Sequence, residues 1–256
     1  MLETLETADH LTTTTAVPAL IRIGMITPSS NTALEPITAR IFAGRPEVTA
    51  HFARLRVTEI SIGPQALAQF DAAPMLEAAS MLADARPHAI VWNGTSGGWR
   101  GLDADRRLCA ALEDRFGIPT STVTLALRDL LKAQQVERIA FATPYTDNVQ
   151  KLILETFTAE GFTCTVSPCL GISENFAFGS VSEPDMDRLV EQAAADRPQV
   201  IIPFCTNLPA TQHAVRWEQK FGIPIYDSIA IAARAGLELS GTPPQIITGW
   251  GSIFQI

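Results

Sequence analysis

One cysteine of this chain lies where a thiol could react. Cys205 follows the apolar run 200–204 and precedes Thr206 and Asn207, so we expect its thiol at a strand end, beside hydroxyl, amide and backbone N–H donors. A helix beginning near Leu208 would add its N-terminal field and favour a reactive thiol. Simple packing is the alternative role, because cysteine is among the most buried residue types.

A loop of small residues forms a second candidate. Gly94, Thr95 and Ser96 follow another apolar run and are themselves followed by two more glycines. Such a loop can turn several backbone N–H groups and two hydroxyls toward an anion, as an oxyanion site does. No lysine follows, so the loop is not a P-loop, and an ordinary glycine-rich turn is the alternative.

Two further polar segments follow apolar runs. Ser29, Ser30 and Asn31 have the residue types of a helix cap, and the same N-terminal N–H groups bind carboxylates. Tyr145 stands in the second half where the first half has a serine, and its hydroxyl would suit a cleft. Packing at an interface is the other role that a tyrosine could have there.

The sequence shows no sign of a metal or a cofactor. The first strand is not followed by the GxGxxG pattern of nicotinamide-binding folds. The acidic residues do not cluster, and the histidines are scattered without zinc-site spacing: His10, His51, His88 and His213. The remaining cysteines lack CxxC spacing and are assigned structural roles as free thiols: Cys109, Cys164 and Cys169.

Composition limits the partners and the location. A formal net charge of -8 without a basic patch argues against nucleic acid. No apolar run reaches the roughly 20 residues needed to cross a bilayer. The segment 1–16 lacks the basic and apolar regions of a signal peptide, so we expect a flexible extension on a cytoplasmic protein. A second copy of the chain is the candidate protein partner.

Three landmarks recur in the same order in the two halves. Each half has a strand ending in Thr-Pro at 22–28 and 138–144, a second apolar strand at 89–93 and 200–204, and the tetrapeptide Phe-Gly-Ile-Pro at 116–119 and 221–224. Glycine suits a helix C-cap and proline discourages helix continuation, so each tetrapeptide predicts a junction between a helix and a strand. At the second landmark, Gly94 of the first half corresponds to Cys205 of the second.

Alternating apolar runs and amphipathic stretches predict an α/β fold with parallel sheets. We expect two pseudo-symmetric Rossmann-like (flavodoxin-like) domains, with the active site in the cleft between their facing strand ends. The predicted organisation is an extension at 1–19, a first domain at 20–125, a second domain at 126–235, and a C-terminal segment at 236–256 that returns to the first domain. Predicted strands are 22–27, 48–57, 89–93, 138–142, 162–167 and 200–204; predicted helices are 32–43, 64–85, 146–160, 183–196 and 228–239.

Together these residues resemble the aspartate/glutamate racemase superfamily, in its branch with maleate cis-trans isomerase and arylmalonate decarboxylase. The resemblance covers 22–256 and rests on the segments 28–32, 94–96 and 143–147, with Cys205 in the second half. Racemases and the isomerase of this superfamily have one cysteine in each half. Gly94 in the first half is similar to the decarboxylase pattern, in which one cysteine remains.

The resemblance implies cofactor-free chemistry on a small carboxylate. A malonate-type acid would lose CO2, hydrogen-bond donors would stabilise the enediolate, and Cys205 would protonate the carbanion. The implied substrate-binding residues are Ser29, Asn31, Gly94, Thr95, Ser96, Tyr145, Thr206 and Asn207, with the backbone amides of residues 205 and 206 as further donors. Asn31 is more similar to a substrate-binding asparagine of the isomerase, and 206–207 differ from the glycine-rich continuation of the arylmalonate enzymes.

Three hypotheses follow from the residues and the resemblance. The first is a single-thiol decarboxylase of a malonate-type or small dicarboxylic acid. The second is a maleate isomerase or racemase-like enzyme that uses one thiol. The third is a carboxylate-binding protein without turnover. The first hypothesis also predicts that Gly94→Cys would restore a second proton donor and add racemising activity.

Overall fold

The computed structural model describes residues 20–256, which form two α/β halves. Four strands belong to the first half: β1 (Ile21–Pro28), β2 (Val48–Leu55), β3 (Ala89–Trp92) and β4 (Thr120–Thr122). Three belong to the second: β5 (Arg138–Ala142), β6 (Thr163–Cys164) and β7 (Val200–Pro203). Both sheets are parallel, with strand orders β2-β1-β3-β4 and β6-β5-β7. The predicted fold class is confirmed; the predicted extension at 1–19 lies outside the described residues.

Helices connect the parallel strands, as crossover connections require. The first half contains α1 (Leu34–Phe42), α2 (Pro64–Ala68), α3 (Ala72–Asp84), α4 (Gly97–Arg100), α5 (Leu102–Phe116) and α6 (Val123–Ala133). The rest of the chain contains α7 (Asp147–Ala159), α8 (Asn175–Phe178), α9 (Glu183–Ala194), α10 (Ala214–Phe221) and α11 (Ser228–Leu239), with short 3₁₀ turns at 211–213, 244–246 and 252–254. No helix within 20–256 has both the length and the apolar content to cross a membrane.

The two sheets are equivalent by sequence order and by position. β1, β2 and β3 of the first sheet correspond to β5, β6 and β7 of the second. A parallel bridge between Ile201 and Ile225 stands where β4 stands in the first sheet. All residues of β3 and β7 are buried, as expected for strands covered on both faces. In space, α11 packs against β3, α1 and α6, and therefore on the first sheet. The domain boundaries at 125 and 235 stay predictions.

The two Phe-Gly-Ile-Pro segments have the predicted structural role. Gly117 ends α5 and Gly222 ends α10, both in the left-handed conformation at φ 65°. Glu113 of α5 accepts a hydrogen bond from the backbone N–H of Thr120, and Glu218 of α10 accepts one from Ile225. Each segment therefore joins a helix end to the next extended strand in the same way.

Three predicted elements differ from the observed ones. The helix predicted at 64–85 is broken before α3, because Pro74 in a continuous helix would clash with the carbonyl of residue 70. The strand predicted at 162–167 is shorter, because the N–H of Phe141 donates to the Ser167 hydroxyl instead of a backbone carbonyl. Turns occupy 206–210, so the helix expected near Leu208 begins only at Ala214, after a 3₁₀ turn.

Candidate active site

The thiol of Cys205 lies just beyond the end of β7 and is buried. The Tyr145 hydroxyl and the backbone N–H groups of Asn207 and Leu208 face the sulfur, and these turn residues take the place of the expected helix N-terminus. Burial nevertheless raises the pKa of the thiol to about 11. The group is therefore protonated at neutral pH, which suits a proton donor better than a thiolate nucleophile.

Two hydroxyls from opposite halves meet beside this thiol. Tyr145, which follows β5, has its hydroxyl oxygen 2.6 Å from Oγ1 of Thr95, which follows β3. Both side chains are buried, and burial raises the pKa of Tyr145 well above its usual range. The pair is therefore neutral. One hydroxyl donates to the other, so one O–H of the pair is left to donate toward an anion held next to Cys205.

The loops of both halves also meet at Asn31 and Thr206. The Asn31 amide nitrogen donates to Thr206 Oγ1 at 3.2 Å, and the Thr206 hydroxyl donates to the Asn93 carbonyl at 2.7 Å. The side-chain amide oxygens (Oδ1) of Asn31 and Asn207 both accept from the backbone N–H of Ala33, at 3.0 and 3.2 Å. These side chains cap the start of α1, so this helix end is already satisfied by the protein.

Backbone donors at the two strand ends have no partner in the described part of the chain. The N–H groups of Thr95, Ser96, Cys205 and Thr206 donate to no acceptor among residues 20–256. All four residues are buried. Buried N–H groups in proteins are nearly always paired, so these donors are suited to a bound carboxylate.

The three serines face other groups. Ser29 Oγ accepts from the N–H of Val57 at 3.2 Å, and the Ser30 hydroxyl donates to the Val57 carbonyl at 2.7 Å. The Ser96 hydroxyl accepts a long hydrogen bond of 3.4 Å from the indole of Trp92. Their predicted contact with substrate stays a prediction, and the structure gives each of them a role in holding neighbouring segments.

Several residues at the site were not found from the sequence. Asn175 is buried and donates to Ser30 Oγ at 2.9 Å, while its carbonyl accepts from Asn207 at 2.6 Å. The rings of Trp99 and Phe178 pack edge to face against Tyr145, with centroids 5.5 and 5.4 Å away. Their position depends on contacts between distant segments, and no local pattern signals it.

A backbone strap links the two halves. We define the strap as the segments 58–60 and 173–175, which pair across the halves in an antiparallel bridge between Glu59 and Glu174. The N–H of Ile60 donates to the Ser173 carbonyl at 2.8 Å, and the N–H of Asn175 donates to the carbonyl of residue 58 at 3.0 Å. The strap therefore joins the first half to the loop that holds Asn207 in place.

Metal ligation is not supported by the residues described. Among residues 20–256, no three His, Cys, Asp or Glu side chains come together in a way that could hold an ion. Hydroxyl, thiol, amide and backbone groups make up the site, and these suit a carboxylate.

Asp227 lies near the site and should give the stability a distinctive pH dependence. Its Oδ1 accepts from the N–H groups of Ile229 and Ala230 at 2.8 and 3.3 Å, while Oδ2 is buried without a partner within 20–256. Burial raises the pKa of Asp227 from 3.8 to about 7. The folded state thus binds this proton more tightly than the unfolded state, and stability falls as pH rises from about 4 to about 7.

We expect Asp227→Asn to remove this part of the pH dependence. Asparagine keeps the capping oxygen and cannot ionise. The free energy of unfolding of the variant, measured relative to that of wild type, should therefore rise by on the order of 3 kcal/mol from pH 5 to pH 8. Urea unfolding at the two pH values measures the difference. Burial also raises the pKa of a second carboxylate, Asp105, to about 6. Asp105→Asn is measured in parallel to separate the contribution of that carboxylate from the contribution of Asp227. Equal pH dependence in wild type and Asp227→Asn would contradict the prediction.

Comparisons with known proteins identify relatives of this chain. A family model described as arylmalonate decarboxylase matches residues 23–253. The maleate isomerase of Nocardia farcinica is 26% identical over 91% of this chain and 95% of its own. The arylmalonate decarboxylase of Bordetella bronchiseptica is 26% identical over 61% of this chain and 66% of its own.

A solved structure shows the same fold. It is a variant of the Pseudomonas putida S16 maleate isomerase with maleate, similar to this chain with a TM-score of 0.82 at 22% identity, over 92% of this chain and 97% of that one. The branch inferred from the residues is confirmed. Because the family model matches most of the sequence, the chain belongs to the arylmalonate decarboxylase family.

Proposed function

We propose that this protein is a cofactor-independent decarboxylase of a malonate-type or small dicarboxylic acid, with Cys205 as its proton donor. The observation that supports this most is the buried thiol of Cys205, whose pKa of about 11 keeps it protonated, while the equivalent position of the first half is Gly94 and carries no thiol. A neutral thiol on one side only is the arrangement that delivers one proton to one face of a carbanion.

The proposed reaction uses only groups at this site. The bond between the α-carbon and one carboxylate breaks, CO2 leaves, and the electron pair stays on the substrate as an enediolate. The hydrogen-bonded hydroxyl pair of Thr95 and Tyr145, through its remaining O–H, and the free backbone N–H groups of residues 205 and 206 donate to the enediolate oxygens. The Cys205 proton then moves to the α-carbon, and the resulting thiolate takes a proton from water.

Isomerisation of maleate is the second candidate. The maleate isomerase relatives favour it, as does the similarity of Asn31 to a substrate-binding asparagine of the isomerase. Addition of sulfur to a double bond needs a thiolate, however, and burial of Cys205 opposes that form. We therefore place decarboxylation first.

One experiment separates the candidate functions. The purified protein is incubated with a panel of malonates, maleate and aspartate in deuterated water, with Cys205→Ala beside it, and the products are identified by NMR. We expect a monoacid with deuterium at the α-carbon, absent with Cys205→Ala. Fumarate or α-exchanged aspartate in place of the monoacid would overturn the decarboxylase in favour of an isomerase or a racemase. Thermal stabilisation by a carboxylate without any product would instead favour a binding protein.

A further inference from the structure

The position equivalent to Cys205 in the first half is blocked by a tryptophan. A Cβ built on Gly94 would lie 2.1 Å from Cζ2 and 2.4 Å from Cε2 of Trp92. Both distances are far inside van der Waals contact. The indole ring therefore occupies the space that any side chain at residue 94 would need.

The conformation of Gly94 does not itself require glycine. Its φ lies outside the left-handed region, where side chains are strained, unlike Gly101 or Gly117. An L-residue could adopt this backbone if the space were free. The three heavy atoms nearest to the added Cβ all belong to Trp92, so its ring is the first obstacle to a side chain at residue 94.

The Trp92 ring is held in place on several sides. It is fully buried, packs edge to face with Phe70 at a centroid distance of 6.5 Å, and donates to Ser96 at 3.4 Å. A cavity of about 250 Å³, lined in part by Trp92, Phe70 and Met75, lies next to it. A smaller side chain at residue 92 would leave room at residue 94 and join it to this cavity.

The blocked position belongs to the active site. β3 and β7 are equivalent strands, and the loop after β3 touches the loop after β7 where Thr206 donates to the Asn93 carbonyl. Thr95, the next residue after Gly94, meets Tyr145 beside the Cys205 thiol. A side chain at 94 would thus start from the first-half counterpart of the position that presents the thiol.

We propose that Trp92 is a specificity-determining residue that keeps the site to a single thiol by filling the space of a residue-94 side chain. The functional part of this proposal rests on the proposed decarboxylase activity. With one donor, the carbanion is protonated on one face; with a second, one thiolate can remove the α-proton of the product while the other thiol returns a proton to the opposite face. The expectation that Gly94→Cys alone adds racemising activity changes accordingly. We now expect that activity only when a smaller residue also replaces Trp92.

The steric part is tested by stability, independently of any activity. Gly94→Ala is made in wild type, in Trp92→Leu and in the milder Trp92→Phe background, and Gly44→Ala, where a Cβ meets nothing within 4 Å, is the matched control. We expect Gly94→Ala to lower Tm by on the order of 5 °C in wild type, and by much less in a background with a smaller residue 92. An equal loss of Tm in all backgrounds would overturn the proposal.

The functional part is tested with the product of the decarboxylation in deuterated water. We expect α-proton exchange and loss of optical purity of a chiral monoacid with Gly94→Cys in the Trp92→Leu background, and neither with Gly94→Cys alone. Exchange by the single variant, or a folded double variant without exchange, would contradict the role of Trp92 in specificity. Failure of wild type to decarboxylate any malonate would instead contradict the proposed function, and the stability series would still decide the steric role.

Discussion

Replacing Cys205 with alanine is expected to lower the rate of the proposed decarboxylation by about 10²–10⁴-fold, the usual contribution of a positioned proton donor. The enediolate formed when CO2 leaves would lose the neutral thiol that returns a proton to its α-carbon. The donors proposed for the carboxylate, Thr95 and Tyr145, are unchanged in this variant. The effect should therefore fall on kcat, with KM little altered.

Cys109→Ala is the matched control for this experiment. Cys109 is also a buried thiol, and burial raises its pKa to about 12, but it lies within α5 outside the cleft. We expect this variant to decarboxylate at the wild-type rate. Decarboxylation at the wild-type rate by Cys205→Ala, or an equal loss in both variants, would contradict a specific role for Cys205 as donor.

The sequence predicts the central strands and their ends better than the edges of the sheets. β1, β3, β5 and β7 lie within one or two residues of their predicted bounds, because buried parallel strands are continuous apolar runs with no competing pattern. At the sheet edge, a single side chain determines the length of β6. The Ser167 hydroxyl accepts the hydrogen bond from the backbone N–H of Phe141, and β6 is therefore shorter than predicted. Competition of this kind depends on geometry that periodicity does not contain.

The meeting of several candidate site residues could be predicted from the sequence, because strand ends determine where they lie. Thr95, Tyr145 and Cys205 meet because each follows a central strand of equivalent sheets, and the repeat in the sequence shows that equivalence. The helix expected after Cys205 was wrong, since turns fill 206–210. The obstruction of residue 94 by Trp92 could not be predicted, because it depends on the rotamer of a side chain two residues away.

We expect the strap to be the part of the protein that moves to let a small acid reach the almost fully buried thiol of Cys205. Cys205 has 3% of its surface exposed, so substrate requires some part of the protein to move. The strap joins the halves by two backbone hydrogen bonds. Glu59 and Glu174 are exposed and stand directly opposite each other, and like charges in that arrangement weaken strand pairing. The strap is therefore the link between the halves that we expect to part most readily.

Locking the strap should stop turnover. Glu59 and Glu174 form a pair without mutual backbone hydrogen bonds, and in such pairs the Cα atoms lie about 4.5 Å apart, within the range that a disulfide spans. We expect the variant with Glu59→Cys and Glu174→Cys to lose nearly all activity when oxidised and to regain it on reduction. Tm should rise in the oxidised form, because a cross-link between distant residues restricts the unfolded chain. Activity and Tm are measured on the same oxidised and reduced samples.

The single variant Glu59→Cys, taken through the same oxidation, separates the effect of the cross-link from damage to other thiols. We expect it to keep its activity, because it has the same native cysteines as the double variant but cannot form the cross-link between residues 59 and 174. Full activity of the oxidised double variant, with the disulfide shown by loss of two titratable thiols, would mean that substrate reaches Cys205 without parting the strap. Loss of activity together with a raised Tm, reversed by reductant, would identify separation of the two halves at residues 59 and 174 as a required step of each turnover.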